Sequence, residues 1–304
     1  MEKFDRVLFI PDVHGRRFWK KACEDFLADK RPGHIVFLGD YLDPYEFEGI
    51  SWRQCIENFR EITDFAKKHR DTVTLLLGNH DMHYWTKEPS DHCRYSYVYC
   101  DAIREKFHED ESLFSIAWEC ECGGRRILAT HAGVTSGWLL ACDQLRERMT
   151  DEKTGSMPEF LSPEADAETL NGILQSASEH DNDDILSPFL MISRDRGGRW
   201  WSGSCIWADA TEHLQSFGKL RTGAYQVFGH SLSFPLYENF DMIEVNERFA
   251  MLDGRAAVLM TPGEDYPSFI RIPSDEPLVD RVRSNPQDFT DIVKARPIKN
   301  RQKD

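Results

Sequence analysis

The feature that most constrains this chain is a repeated pairing of a short apolar run with a cluster of Gly, Asp, Asn and His. Val7–Ile10 leads into Asp12-Val13-His14-Gly15, Ile35–Leu38 into Gly39-Asp40 with Asp43, and Val73–Leu77 into Gly78-Asn79-His80-Asp81. Runs this short, β-branched or apolar and stopped by turn formers, predict buried strands. Between them, Phe18–Asp29 and Ser51–His69 carry apolar residues at three- and four-residue spacing, Ile56, Phe59, Ile62, Phe65 and Ala66 being the clearest set. That spacing predicts helices. Strand and helix in alternation predict βαβ crossovers and a mostly parallel sheet covered on both faces.

Further along, Phe114–Cys120 and Arg126–Thr130 flank Gly123-Gly124 and predict a hairpin, after which the chain opens into His131-Ala132-Gly133. Tyr225–Phe228 predicts another buried strand ending at Gly229-His230, and Met242–Val245, Ala250–Leu252 and Ala256–Met260 predict strands separated by turns. From about Arg146 to Leu186 the composition turns polar and acidic, which predicts an insertion with some helix around Ala165–Ala177. Residues 1–274 thus read as one domain interrupted at 146–186, and 275–304, polar and locally basic, as a C-terminal extension.

Composition narrows the function. Of 304 residues 40% are hydrophobic, enough for one sizeable core or two smaller ones without disulfides, and the eight cysteines are too sparse for a disulfide scaffold. The net charge of −15 argues against a surface built to neutralise nucleic-acid phosphates or anionic lipid. No apolar run reaches the roughly 18 residues that span a bilayer, and the first residues lack the pattern of a signal peptide. The expectation is a cytoplasmic protein with reduced thiols, no membrane partner and no nucleic-acid partner.

In an open α/β sheet, ligands bind outside the carboxyl ends of the strands, so five sequence-distant clusters are expected to converge at one rim. Their residue types are imidazoles, carboxylates and one amide, a mixed O/N donor set without thiolate that suits Mn²⁺, Fe or Zn²⁺. Taken singly, Asp12, Asp40 or Asn79 reads as a turn former or helix cap, and His131 or His230 as a hydrogen-bonded turn residue. Five such clusters in order point instead to a metal centre.

Asp-x-His-Gly, Gly-Asp-Tyr-Leu-Asp, Gly-Asn-His-Asp, His-Ala-Gly and Gly-His in this order resemble the calcineurin-like metallophosphoesterases. The first two motifs look most like the branch of phosphoprotein phosphatases and symmetrical diadenosine-tetraphosphate hydrolases. The resemblance implies a four-layer αββα sandwich of two facing mixed sheets and a binuclear centre of divalent ions, manganese first. It implies that Asp12 and His14 hold one metal, Asp40 bridges both, and Asn79, His131 and His230 hold the other. A metal-bridging hydroxide would then attack phosphorus in line while His80, oriented by Asp43, protonates the departing oxygen. Two positions depart from the pattern. Pro44 stands where phosphoprotein phosphatases have a phosphate-gripping arginine, leaving Arg94, Arg194 and Arg196 as candidate clamps. Leu232 stands where many other relatives have a second histidine, a ligand that the phosphoprotein phosphatase branch also lacks.

The reaction expected is phosphomonoester hydrolysis, on a phosphorylated protein or a small metabolite. Dinucleoside polyphosphates are the second expectation, and a non-catalytic scaffold of the same fold is the rival from another class. His34, His69, His83, His92, His108, His180 and His213 carry no supporting pattern and receive no role. Cys120-x-Cys122 reads as alternation in a hairpin rather than half a zinc site. The aromatic cluster at Tyr84, Trp85, Tyr95, Tyr97 and Tyr99 reads as packing. The Cys205–Asp209 run, similar to a Leu-Trp-x-Asp run of the phosphatases, reads as packing beneath the site.

Overall fold

The computed structural model describes residues 1–45, 48–86, 89–150, 166–215, 223–231 and 244–274. Leu232, residues 151–165 of the polar stretch, the first half of the strand expected at Met242–Val245 and the 275–304 extension lie outside the described residues. The first half alternates as its periodicity predicts: β1 (Val7–Ile10), α1 (Trp19–Ala28), β2 (His34–Phe37), α2 (Trp52–Lys68) and β3 (Val73–Leu76). Ser51 caps α2 by accepting from the Gln54 N–H, and the Gln54 side chain accepts in return from the Ser51 backbone. After β3 come α3 (Asn79–Trp85) and α4 (Cys100–Glu109), then β4 (Phe114–Ser115), β5 (Ala117–Cys122) and β6 (Arg125–Thr130). The second half continues with α5 (Ser136–Thr150), α6 (Ala167–His180), α7 (Ala210–Gln215), β7 (Tyr225–Phe228), β8 (Glu244–Val245), β9 (Phe249–Met251), β10 (Ala257–Thr261) and β11 (Ser268–Ile272).

The strands form two mixed sheets. One has the order β11-β10-β1-β2-β3-β4, the other β5-β6-β7-β9-β8. In the first, β1 to β4 run parallel and β10 joins β1 antiparallel; in the second, β6, β7 and β9 run parallel. Alternation along β1 divides the core into layers. Val7 and Phe9 meet Ile127, Ala129 and Val227 between the sheets, while Leu8 and Ile10 join the cluster that includes Trp19 and Cys23 of α1. Helices α1 and α2 cover the first sheet, and α6 packs against β5, where the Asn171 amide accepts from the Ile116 and Ala117 N–H groups and donates to the Ala117 carbonyl. The expected helix–sheet–sheet–helix layering is therefore present.

Three features differ from the sequence-based expectation. The segment Phe114–Cys120 is not one hairpin strand: Phe114 pairs with Leu75 in the first sheet, while Ala117 pairs with Thr130 in the second. A crossing at the buried Ile116 keeps both halves extended, so local pattern cannot reveal it. Strand β11 completes the first sheet at a segment to which the sequence analysis assigns no strand. Helix α6 also buries Leu170, Ile173, Leu174 and Ala177, so that part of the polar stretch docks on the core. Cys120 and Cys122 both point into the layer between the sheets, consistent with simple alternation.

Candidate active site

The polar clusters meet at the carboxyl ends of the strands. His14 N–H donates to the Asp40 carbonyl (2.7 Å), Gly229 N–H to the His131 carbonyl (2.8 Å), and His230 N–H to both Asp12 carboxylate oxygens (3.0 Å each). Four of the residues singled out from sequence adopt left-handed backbone: His14 (φ 45°), Asp40 (φ 55°), Asp43 (φ 58°) and His230 (φ 65°). Non-glycine residues avoid this region, and where structure enforces it the site is commonly functional. Close approach adds a requirement at Gly78, where a Cβ would lie 2.2 Å from Asp40 Oδ1. Only glycine lets the third strand end this near the second.

Asp40 lies at the centre. Its Oδ2 is 3.5 Å from His14 Nε2, and its Oδ1 is 3.4 Å from His131 Nε2. His131 Nε2 is also 2.9 Å from Asn79 Oδ1 and 3.1 Å from His230 Nδ1. Two donor sets thus share one carboxylate, and the groups Asp40–His131–His230 and His14–Asp40–His80 are each close enough to hold an ion. The outer nitrogens are already committed: His14 Nδ1 lies 2.7 Å from the Leu42 carbonyl and His131 Nδ1 2.7 Å from the Leu38 carbonyl. Such contacts fix the tautomer and aim the other nitrogen's lone pair inward, the arrangement typical of metal-ligating histidines.

The electrostatics favour a cation there. Burial, with Asp253 and Asp40 nearby, pushes the Asp12 carboxyl well above its usual range. Burial would raise Asp40 as well, but His131, His80 and His14 around it hold it well below. Burial opposes charge on His131, yet Asp40 and Asp12 raise it to about 9. Carboxylates, imidazoles and an amide oxygen crowd together, and the buried His230 Nε2 has no hydrogen-bond partner among the described residues. This donor set fits divalent metal ions.

Beside the centre, His80 Nδ1 donates to Asp43 Oδ2 at 2.6 Å, and the His80 ring lines a cleft of about 910 Å³ together with Asp12, His14, Asp40, Asn79 and His230. His131 is wholly buried behind that surface. The three candidate arginines all line the cleft. Arg94 lies 3.7 Å over the Tyr45 ring and donates through Nε (3.0 Å) and Nη2 (2.7 Å) to the Asp43 carbonyl. Arg196 pairs with Asp209 through Nε (2.7 Å), and its Nη2 donates to Ser231 Oγ. Arg194 is exposed on the cleft wall.

The family model of calcineurin-like phosphoesterases matches residues 5–234. The chain belongs to this family. Among solved structures, the phosphoesterase is similar to a protein serine/threonine phosphatase from Saccharomyces cerevisiae with similarity to human phosphatase PP5, at 15% identity, 91% coverage of this chain, 84% coverage of that chain and a TM-score of 0.43. It is also similar to the hypothetical protein PH1004 from Pyrococcus horikoshii OT3, at 11% identity, 95% and 97% coverage and a TM-score of 0.38. No curated protein sequence matches it. No helix among the described residues of the phosphoesterase is long and apolar enough to cross a membrane.

Several residues of the phosphoesterase cleft escape sequence reasoning. Asp253 lines it beside Asp12 and Asp40, following β9 as Leu252-Asp253-Gly254, the same strand-then-acid signal carried by the other clusters. Tyr45 and Cys93 also line it and follow no strand. Cys93 Sγ lies 3.6 Å from Asn79 Nδ2, and burial, with Asp43 and Asp40 beyond, pushes its thiol well above the usual value, so it stays protonated. Trp207 lines the cleft and meets the His230 ring edge-on at 6.0 Å, so the Cys205–Asp209 run reaches the site surface. His92 lines the cleft while His83 does not.

Proposed function

We propose that this phosphoesterase hydrolyses phosphomonoesters at a binuclear centre in which Asp12 and His14 hold one divalent ion, Asn79, His131 and His230 the other, and Asp40 both. The observation that carries this reading is the division of Asp40, one oxygen facing His14 and the other facing His131, as a bridging carboxylate requires. Two such ions, Mn²⁺ being the first candidate, would lower the pKa of a water towards neutrality and offset charge on the phosphoryl oxygens.

The chain's own groups complete the chemistry. His80 is held by Asp43 through Nδ1, which leaves Nε2 to protonate the departing oxygen. Arg94 takes the role of the arginine absent at Pro44. The Asp43 carbonyl and the Tyr45 ring already fix its guanidinium, whose Nη2 lies 3.4 Å from His14 Nδ1, so little side-chain freedom is lost when it grips a phosphate. Arg196 is paired with the Asp209 carboxylate, which offsets its charge, whereas Arg94 is held by a neutral carbonyl, and this favours Arg94. The substrates expected are phosphoproteins or small phosphorylated metabolites. A second reading, hydrolysis of dinucleoside polyphosphates, draws support from the size of the cleft, about 910 Å³, whose lining also includes Arg194 and Trp207.

The test is hydrolysis of a chromogenic aryl phosphate by the Mn²⁺-loaded protein, with bound metal measured alongside, followed by a screen of phosphopeptides, phosphorylated metabolites and dinucleoside polyphosphates. Asp40→Asn is expected to lose both metal and turnover. His80→Ala is expected to keep metal and lose turnover by about 10²–10⁴ with substrates that need the proton. A metal-loaded wild type that turns over no ester would overturn this reading in favour of a scaffold.

A further inference from the structure

Asp43 holds more than His80. Its Oδ2 accepts from His80 Nδ1 at 2.6 Å and lies 3.2 Å from His83 Nε2, a close electrostatic contact outside hydrogen-bond alignment, and its Oδ1 accepts from the Tyr84 hydroxyl at 2.7 Å. His80 and His83 stand three residues apart on α3, so one helix face presents both imidazoles to a single carboxylate from the loop after β2. His83 is 2% exposed and lies outside the cleft, with its ring edge against Tyr95 at 5.0 Å. Tyr84 stacks on Tyr95 at 4.8 Å, and its hydroxyl also accepts the Ser96 N–H.

We infer that His83 and Tyr84 are positioning residues: from the side away from the cleft they fix the Asp43 carboxylate, so that Oδ2 holds His80 Nδ1 while His80 delivers its proton. This rests on the reading of His80 as general acid. A carboxylate bound only by His80 is free to rotate about its terminal torsion and carry the imidazole off line. Tyr84 on one oxygen and His83 on the other remove that freedom before substrate arrives. The Asp43 backbone is fixed separately, because its carbonyl is held by Arg94 and its φ is left-handed. Neither His83 nor Tyr84 touches the reacting atoms, so their effect on rate must pass through His80.

A leaving group that departs readily as an anion needs no proton, whereas an alkoxide does, so the test compares kcat for an aryl phosphate and an alkyl phosphate in the Mn²⁺-loaded protein. His83→Leu and Tyr84→Phe are expected to lower kcat for the alkyl ester on the order of tenfold, with KM and aryl ester turnover little changed, as a fraction of the general-acid contribution. His83→Gln, which keeps an N–H donor on a side chain of similar reach, is expected to recover part of the loss and serves if the leucine variant does not fold. An equal fall on both esters, or no fall on either, overturns the inference. His80→Ala separates the two levels. If it shows the alkyl-selective loss and the His83 and Tyr84 variants do not, only the positioning role fails; if it shows no selectivity, the general acid and the inference fail together.

Discussion

Asp81 shows how much of this site depends on groups that face away from substrate. Its buried carboxylate accepts from the backbone N–H groups of Asp40 (2.6 Å), Tyr41 (3.0 Å) and Gly78 (2.9 Å), tying the turn after β2 to the start of α3. Asp81→Ala leaves three N–H groups buried without an acceptor, a loss on the order of 3–5 kcal/mol. Chemical denaturation should register that loss, and bound metal should fall with it because Asp40 is no longer held; unchanged stability would contradict the account. The residue types of the centre were legible from sequence because each follows an apolar run. Arg94 was one of three candidates, and His83 and Tyr45 had no role, because their meaning depends on distance to Asp43 and His14 and no sequence pattern encodes that distance.

At the scale of elements, the ends of the strands opposite the site hold a second titratable group. His34 opens β2, stacks on Trp118 of β5 at 4.9 Å and lies 2.9 Å from Thr74 Oγ1 through Nε2. Burial lowers its pKa from 6.5 to about 4. The unfolded chain therefore takes up this proton near pH 6.5 and the folded chain only near pH 4. The contribution is whole above pH 6.5, shrinks as pH falls, and amounts to about 3 kcal/mol lost by pH 4. Urea titrations of the wild type and His34→Gln from pH 7 to pH 4 should show the wild-type advantage narrowing through this window, and a constant gap would argue against it. The strands and helices of the first half were legible because short continuous apolar runs and period 3.6 were cleanly separated there. The Phe114–Cys122 segment was not, because a strand that changes sheets keeps the same alternation on both sides of Ile116.

For the whole molecule, the proposed donors come from both sheets: Asp12, His14, Asp40 and Asn79 follow β1, β2 and β3, while His131 and His230 follow β6 and β7. Ions bound by both groups would tie one sheet to the other, and a ligand held only by the folded state stabilises it by about 2.7 kcal/mol at a hundred times its Kd. Thermal unfolding with Mn²⁺ should exceed that in chelator by roughly 5–10 °C. Asp40→Asn should show no such difference, and an identical Tm for the wild type in both conditions would speak against an inter-sheet ion. The sequence by itself determined which residues end the strands and that their side chains are of types able to hold a metal, since apolar runs and turn formers are local properties of the chain. Only the tertiary structure decided which oxygen of Asp40 faces which histidine, that Arg94 lies against Tyr45, and that two histidines share Asp43. Those relations join residues far apart in sequence, and their distances are set by how the two sheets and the loops at their ends close on one another.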